Sequence, residues 1–414
     1  MSEISSAAAA TPHPAEPAGR VLSGMRPTGE LHIGHYLGAL QNWVRLQDQH
    51  ECFYFSADWH ALTTVYDDPS VIAKSTNDMV IDWLASGLDP ERSTIFVQSQ
   101  LIEHAELFLL LAMHTPLGWL ERVPTYKDQI EKLKDKDLST YGFLGYPLMQ
   151  AADILVYRAS YVPVGEDQVP HIELTREVAR RFNHLYGREP GFEAKALAAV
   201  ERLGADGAKL TELRTRFQQE GDAEAVAAGR ELIVQTRNLP RVDRERLLGY
   251  LEGTAKQVLA EPRALLTKTS RLPGLDGQKM SKSYGNGIAL REPAAEIRRK
   301  VRTMVTDPAR VRRTDPGDPD KCPVWQFHLV FSDQATQDWA SHGCRTAGIG
   351  CIECKAPVAE SIETVIAPIR ERAMTYVERP NLVREILDAG CDRARGIARE
   401  TMRDVREAMG LGRA

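Results

Sequence analysis

The chain has 414 residues, enough for about two or three units that each bury a core. Hydrophobic residues make up 43% and charged residues 26%, and no run of about 18 apolar residues exists, which excludes a helical membrane span. A net charge of −5 disfavours a uniformly basic nucleic-acid-binding surface while leaving room for local patches. Residues 1–18 are rich in Ala, Pro, Ser and Glu and lack the basic-then-apolar layout of a secretion signal. They read as a disordered tail on a cytoplasmic chain. Val21-Leu22-Ser23 runs into Gly24 and Pro27, as a strand does when it leaves into a loop. Tyr36, Leu37, Leu40, Trp43, Val44 and Leu46 recur at helical spacing and predict a helix from His35 to Gln47. Further strands are expected over 52–56, 93–97 and 161–164, with helices over 78–86 and 172–182. Strands alternating with helices point to a parallel sheet with crossover connections. From about Gly191 to Pro262 the chain is rich in Ala, Glu, Arg and Leu with glycine breaks, and reads as several short helices. Beyond Ser283 it reads as almost wholly helical, with apolar stripes over 356–376 and 382–409. Basic runs occur at Arg298, Arg299, Lys300 and Arg302, at Arg310, Arg312 and Arg313, and at Arg393, Arg395, Arg399, Arg403 and Arg406. Each is either a solvated helix face or a basic patch.

Two short segments carry the chemistry. In Pro27-Thr28-Gly29-Glu30-Leu31-His32-Ile33-Gly34-His35 a strand ends, a turn follows and a helix begins near His32. The start of a helix exposes unpaired backbone N–H groups and favours anions. Gly34 leaves room for a flat base against the backbone. His32 and His35, three apart, share one helix face and offer two donors to a phosphate as its charge redistributes. The second segment, Gly274 to Ser283, brackets Lys279-Met280-Ser281-Lys282-Ser283 with glycines. Lysine is a mobile point charge suited to following a leaving pyrophosphate. Alone, these segments would be a polar helix cap and an exposed basic turn. Together they mark a site that binds ATP and directs attack on its α-phosphate.

Six cysteines are present, and four of them fall in one region. Cys322 and Cys344 are separated by 21 residues, Cys344 and Cys351 by 6, Cys351 and Cys354 by 2. In a cytoplasmic chain this clustering favours a metal over disulfides. Four thiolates suit zinc or an iron–sulfur cluster, and spacing does not choose between them; reduced structural thiols are the remaining reading. Cys52 and Cys391 are expected to be core thiols.

The phrases PTGELHIGH and KMSKS resemble the two signatures of class I aminoacyl-tRNA synthetases. Tyr146 to Ile154, Val162 to Gln168, and His171-Ile172-Glu173-Leu174-Thr175-Arg176 make the chain look like the tryptophanyl branch. The resemblance covers roughly residues 20–190 and 264–414. It implies an α/β fold: a Rossmann-like doubly wound parallel sheet over 19–190 and 263–290 and an all-α anticodon-binding domain over 291–414 that includes the cysteines; the segment 191–262 departs from the shorter family pattern and reads as a helical insertion. It further implies that L-tryptophan is activated with ATP and Mg²⁺ to tryptophanyl-adenylate and passed to the terminal adenosine of tRNA(Trp). His32, His35, Lys279 and Lys282 would be catalytic. Arg26, Pro27, Thr28, Gly34, Gly165, Glu166, Asp167, Gln168, Met280, Ser281 and Ser283 would join His35, Lys279 and Lys282 around ATP. Asp153 would accept the indole N–H, with Val162, Val164, Gln150 and His60 around the ring. A subset of the family carries a 4Fe–4S cluster on four cysteines like Cys322, Cys344, Cys351 and Cys354, and the family forms homodimers. A tyrosyl-tRNA synthetase, another nucleotidyltransferase of this fold and a non-catalytic paralogue are the alternatives.

Overall fold

A computed structural model of the chain describes residues 19–123, 140–236, 239–266, 272–281 and 284–412. The expected tail over 1–18, and Lys282 and Ser283, lie outside the described residues. Parallel strands β1 (Arg20–Met25), β2 (Glu51–Ser56), β3 (Ser93–Val97), β4 (Tyr161–Val164) and β5 (Arg263–Leu266) form one sheet in the order β3-β2-β1-β4-β5. The period-2 alternation of a strand explains why both faces are covered. On β2, Phe53 and Phe55 join one apolar cluster, while Cys52 and Tyr54 join another with Trp43 and Trp83.

The chain order reverses between β1 and β4, and the pairing thins there. β1 and β2 are in register along six residue pairs, from Arg20 with Glu51 to Met25 with Ser56. β1 and β4 share the single pair Val21 with Tyr161. The carboxyl ends of β1 and β4 therefore splay, which opens the crevice where ligands of open α/β sheets bind.

The helix Tyr141–Val156 packs against Ile102–Ala112 and Val169–Tyr186 on one face of the sheet. The long C-terminal helix Pro380–Ala408 lies against β3. Gly390 sits directly on that strand: a Cβ there would fall 1.8 Å from the Ile95 carbonyl oxygen. Several arginines of this helix, though partly or largely exposed, bond back to the rest of the protein. Arg399 pairs with Glu103 at 3.2 Å, Arg406 pairs with Glu106, and Arg393 and Arg395 donate to the carbonyls of Pro90 and Gln100. The basic run at 393–406 thus supplies part of the contact between this helix and the rest of the protein. Arg298, Arg299, Arg302, Arg312 and Arg313 are exposed, as are Arg393, Arg399 and Arg403.

The segment after Gly191 forms the helices Phe192–Arg202, Ala205–Glu220, Ala223–Gln235 and Arg241–Glu252, which bury a small core of their own around Leu210, Ile233, Leu247 and Leu251. A largely buried ion cluster docks them. Arg158, held at a left-handed φ of 51°, donates to Glu245 of the insertion at 2.9 Å and to Asp404 of the C-terminal helix at 2.6 Å. Arg241 of the insertion reaches the same Asp404 oxygen at 2.6 Å. No helix among the described residues is long and apolar enough to cross a membrane.

Candidate active site

The end of β1 releases the chain at Met25, and a helix starts at Ile33. It widens into a π turn over Tyr36–Leu40 before resuming as Gln41–Leu46. That turn sets Gly38 and Ala39 on the wall of the crevice. The His32 backbone N–H donates to His35 Nδ1 at 3.2 Å, so a neutral His35 carries its proton on Nε2 as a donor. The two rings lie 3.8 Å apart, as their spacing on one helix face requires.

The downstream signature is stitched to this turn by backbone bonds. Ile33 N–H donates to the Ile288 carbonyl at 2.9 Å and Leu290 N–H to the Leu31 carbonyl at 3.1 Å. The approach is close at Gly34: a Cβ there would meet His32 Nδ1 at 3.0 Å and the Met280 sulfur at 3.3 Å, tight contacts that those side chains would have to relieve. Asn286, 5% exposed, holds the lysine loop in shape. Its Oδ1 accepts from Ser281 N–H at 2.8 Å, and its Nδ2 donates to Asp276 Oδ1 at 2.8 Å and to the Lys279 carbonyl at 3.2 Å. The Asn286 hydrogen bond holds the Asp276 carboxyl below its usual value. Sequence reasoning passed over Asn286, although Asn286-Gly287 after the lysines is a turn signal.

A cavity of about 450 Å³ fills the crevice between β1 and β4. Of the residues expected around ATP and tryptophan, Arg26, His60, Gln150, Asp153, Val162, Val164, Gly165, Asp167 and Gln168 line it. Burial lowers Arg26 from its ordinary pKa. Glu166 belongs to the same short turn but is not among the lining residues, and neither are Pro27, Thr28, His32, Gly34, His35, Lys279, Met280 and Ser281. Among those, His32, Gly34 and Met280 meet around the Gly34 position beside the cavity.

Asp153 is 1% exposed and more heavily partnered than its sequence context indicates. Oδ2 lies 2.7 Å from His60 Nε2; Oδ1 lies 2.7 Å from His104 Nδ1 and accepts from Gln98 Nε2 at 2.8 Å. Burial pushes the carboxyl up, and the hydrogen bonds from His104 and His60 outweigh it, so Asp153 is held below its ordinary value and stays ionised. Gln98 and His104 were missed in the sequence. The one available signal was a lone histidine in the apolar run from Ile102 to Ala112. Tyr146 and His171 close another part of the wall, their Oη and Nε2 atoms 3.1 Å apart. Burial pushes His171 down to about 4, so it is neutral at pH 7.

The four clustered cysteines come from separate elements: Cys322 before the helix Pro323–Phe331, Cys344 near the end of Gln334–Arg345, and Cys351 and Cys354 on the first turn of Cys351–Val377. Cys354 lies within electrostatic range of the other three, and burial pushes its thiol up to about 12. Buried Arg310 comes within 3.8 Å of the Cys344 sulfur, and His328 Nε2 within 3.3 Å of the Cys354 sulfur. Among the described residues, no three His, Cys, Asp or Glu side chains converge closely enough to hold a single metal ion. Cys52 and Cys391 are buried thiols, as expected.

Comparison with known proteins agrees with this geometry. The sequence model of the tRNA synthetases class I (W and Y) matches residues 15–209 and 224–367. A tryptophan–tRNA ligase of Ralstonia nicotianae is 66% identical over 393 residues, covering 95% of this chain and 98% of the relative. One from Thermotoga maritima is 45% identical over 394 residues, covering 95% of this chain and 99% of the relative. Among solved structures, the tryptophanyl-tRNA synthetase of Campylobacter jejuni complexed with ADP and tryptophan superposes with a TM-score of 0.70 at 27% identity, covering 95% of this chain and all of that one. The chain belongs to the class I tRNA synthetases of the W and Y group, and within it to the tryptophan–tRNA ligases.

Proposed function

We infer that this chain joins L-tryptophan to ATP, forming tryptophanyl-adenylate and pyrophosphate, and then charges tRNA(Trp) in the cytoplasm. The observation that carries the substrate is Asp153, an ionised carboxylate at the wall of an otherwise largely apolar cavity. Tryptophan's side chain has one polar group, an N–H donor, and a buried acceptor rejects rings that lack one. Val162, Val164 and Gln150 bound the ring space, and His60 sits on the second carboxylate oxygen. The Gly165–Gln168 turn, at the end of β4, takes the ribose, and Arg26 takes the phosphates.

The reaction needs no protein nucleophile. The tryptophan carboxylate attacks the α-phosphorus in line, and pyrophosphate leaves. His32, His35, Lys279 and Lys282 stabilise charge that grows in the transition state. Mg²⁺ bound with ATP would supply positive charge against the outgoing phosphates. Tryptophan-dependent ATP–pyrophosphate exchange, followed by charging of tRNA(Trp), tests this reading; exchange driven by tyrosine in place of tryptophan overturns it. Lys282→Ala is expected to slow adenylate formation by about 10²-fold or more, with little change in tryptophan affinity. An unchanged exchange rate removes Lys282 from the machinery.

The chain divides as catalytic unit 19–190 with 263–290, insertion 191–262 and helical anticodon-binding domain 291–414. The separate core of the insertion supports that division. The exposed arginines at 298, 299, 302, 312 and 313 are the basic surface on which we place tRNA. A homodimer follows from the family alone. For the cysteines we retain a 4Fe–4S cluster on Cys322, Cys344, Cys351 and Cys354. Such a cluster takes each thiolate on a different iron atom, so its ligands stand further apart than those of one zinc ion. What supports that reading is the spacing of the four cysteines and the electrostatic coupling of Cys354 to Cys322, Cys344 and Cys351, which puts the thiols in one neighbourhood. When bound, the cluster cross-links the three elements that carry them. Protein purified without oxygen is expected to be brown and to hold ~4 iron atoms per chain. Colourless, iron-free protein from that preparation would rule the cluster out.

A further inference from the structure

We infer that Tyr157 and His104 form a buried positioning relay that fixes the Asp153 carboxylate, so that Oδ2 alone reads the substrate N–H; the inference rests on the tryptophan reading above. Asp153 and Tyr157 are four apart across the end of the helix Tyr141–Val156, and so face the same way. His104 bridges them, with Nδ1 2.7 Å from Asp153 Oδ1 and Nε2 2.7 Å from the Tyr157 hydroxyl. Valence fixes the proton positions. A carboxylate accepts only, so His104 carries a proton on Nδ1, and in the neutral tautomer that this leaves Nε2 accepts from the Tyr157 hydroxyl.

The same oxygen also accepts from Gln98 Nε2 at 2.8 Å. Gln98 comes from the turn after β3 and His104 from the helix Ile102–Ala112, so Oδ1 is gripped from two elements. Gln98, His104 and Tyr157 are each 0% exposed. None of them lines the cavity. The Tyr157 ring is itself clamped, 5.3 Å from both Phe53 and Phe96. Oδ2 is on the other side of the carboxylate, next to cavity-lining His60, and a carboxylate oxygen that accepts one hydrogen bond can accept another. A carboxylate pinned on Oδ1 cannot swing to relieve the loss of a partner at Oδ2. Discrimination against a ring without N–H thereby becomes sharper than a freely rotating acid would give.

The probe is the benzothiophene analogue of tryptophan, which carries sulfur in place of N–H at nearly the same shape. The readout is the ratio of kcat/KM for tryptophan to kcat/KM for the analogue in ATP–pyrophosphate exchange with the full chain. Tyr157→Phe keeps the ring and its packing, and is expected to lower the ratio by ~5- to 10-fold with KM for ATP unchanged. His104→Leu is expected to lower it further, and His104→Gln, which restores an amide donor, to recover part of the loss. A ratio within about twofold of the unmodified chain in Tyr157→Phe, or equal losses for both substrates, reduces the relay to packing and overturns the inference. If His104→Leu does not fold, Tyr157→Phe alone decides. Absence of tryptophan-dependent exchange in the unmodified chain overturns the underlying reading instead. Exchange with tryptophan that does not distinguish the two substrates there overturns the relay together with the Asp153–N–H contact it serves, and leaves tryptophan as the substrate.

Discussion

Asp153→Ala is expected to lower kcat/KM for tryptophan in pyrophosphate exchange by roughly a thousandfold. The loss has two parts. The indole N–H loses a charged acceptor, and hydrogen bonds to charged groups are worth about 1.5–3 kcal/mol each. His60, His104 and Gln98 also lose their shared partner, and donors left unsatisfied in a dry site carry a further cost. Asp153→Asn does not rescue the site, because its amide would turn an N–H toward groups that already donate. KM for ATP is expected to stay close to its starting value, since the ribose and phosphates are assigned to the Gly165–Gln168 turn and Arg26. Tryptophan kcat/KM within about tenfold of the unmodified chain would sink the assignment of Asp153 as the reader of the side chain.

Gly390→Val is the second large effect, and it lies far from the chemistry. Even one carbon at this position falls 1.8 Å from the Ile95 carbonyl, and the contact is backbone on both sides, so no rotamer relieves it. The C-terminal helix must then lift off β3, taking the Arg399–Glu103 and Arg406–Glu106 pairs and the buried faces of Ala394, Ala398 and Met402 with it. The expected cost is about 3 kcal/mol or more, read as a fall of several degrees in the unfolding midpoint. An unchanged midpoint would mean that the helix and strand do not touch as described.

Much of the fold was legible because the strands are short, β-branched or aromatic, and bounded by turn residues. Ser93–Val97 and Tyr161–Val164 have the predicted ends. β5 was not legible: Arg263-Ala264-Leu265-Leu266 has no alternation, and its strand character comes from pairing with β4. The helix Ser70–Ala85 begins well before the predicted 78, since its first turns are largely exposed, Val71 among them, and only its last turns bury apolar side chains. At the site, motif residues could be read because their chemistry is unusual at that spacing. Gln98, His104 and Tyr157 could not, because what makes them functional is a shared partner distant in sequence. The arginines of 393–406 show the opposite failure: charge along a helix says nothing of whether its partner is water, RNA or Glu103.

The backbone bonds that join residues 31–33 to residues 288–290 have a consequence for synthesis. The partner of the amino-terminal turn is roughly 250 residues downstream, so on the ribosome that turn waits on the order of 10–50 s before its partner exists. The sheet can form from β1 to β4 in that interval, but the site cannot close. A nascent chain stalled before residue 288 is therefore expected to carry a built cavity and no competent catalyst, which separates the moment the protein folds from the moment it begins to consume ATP.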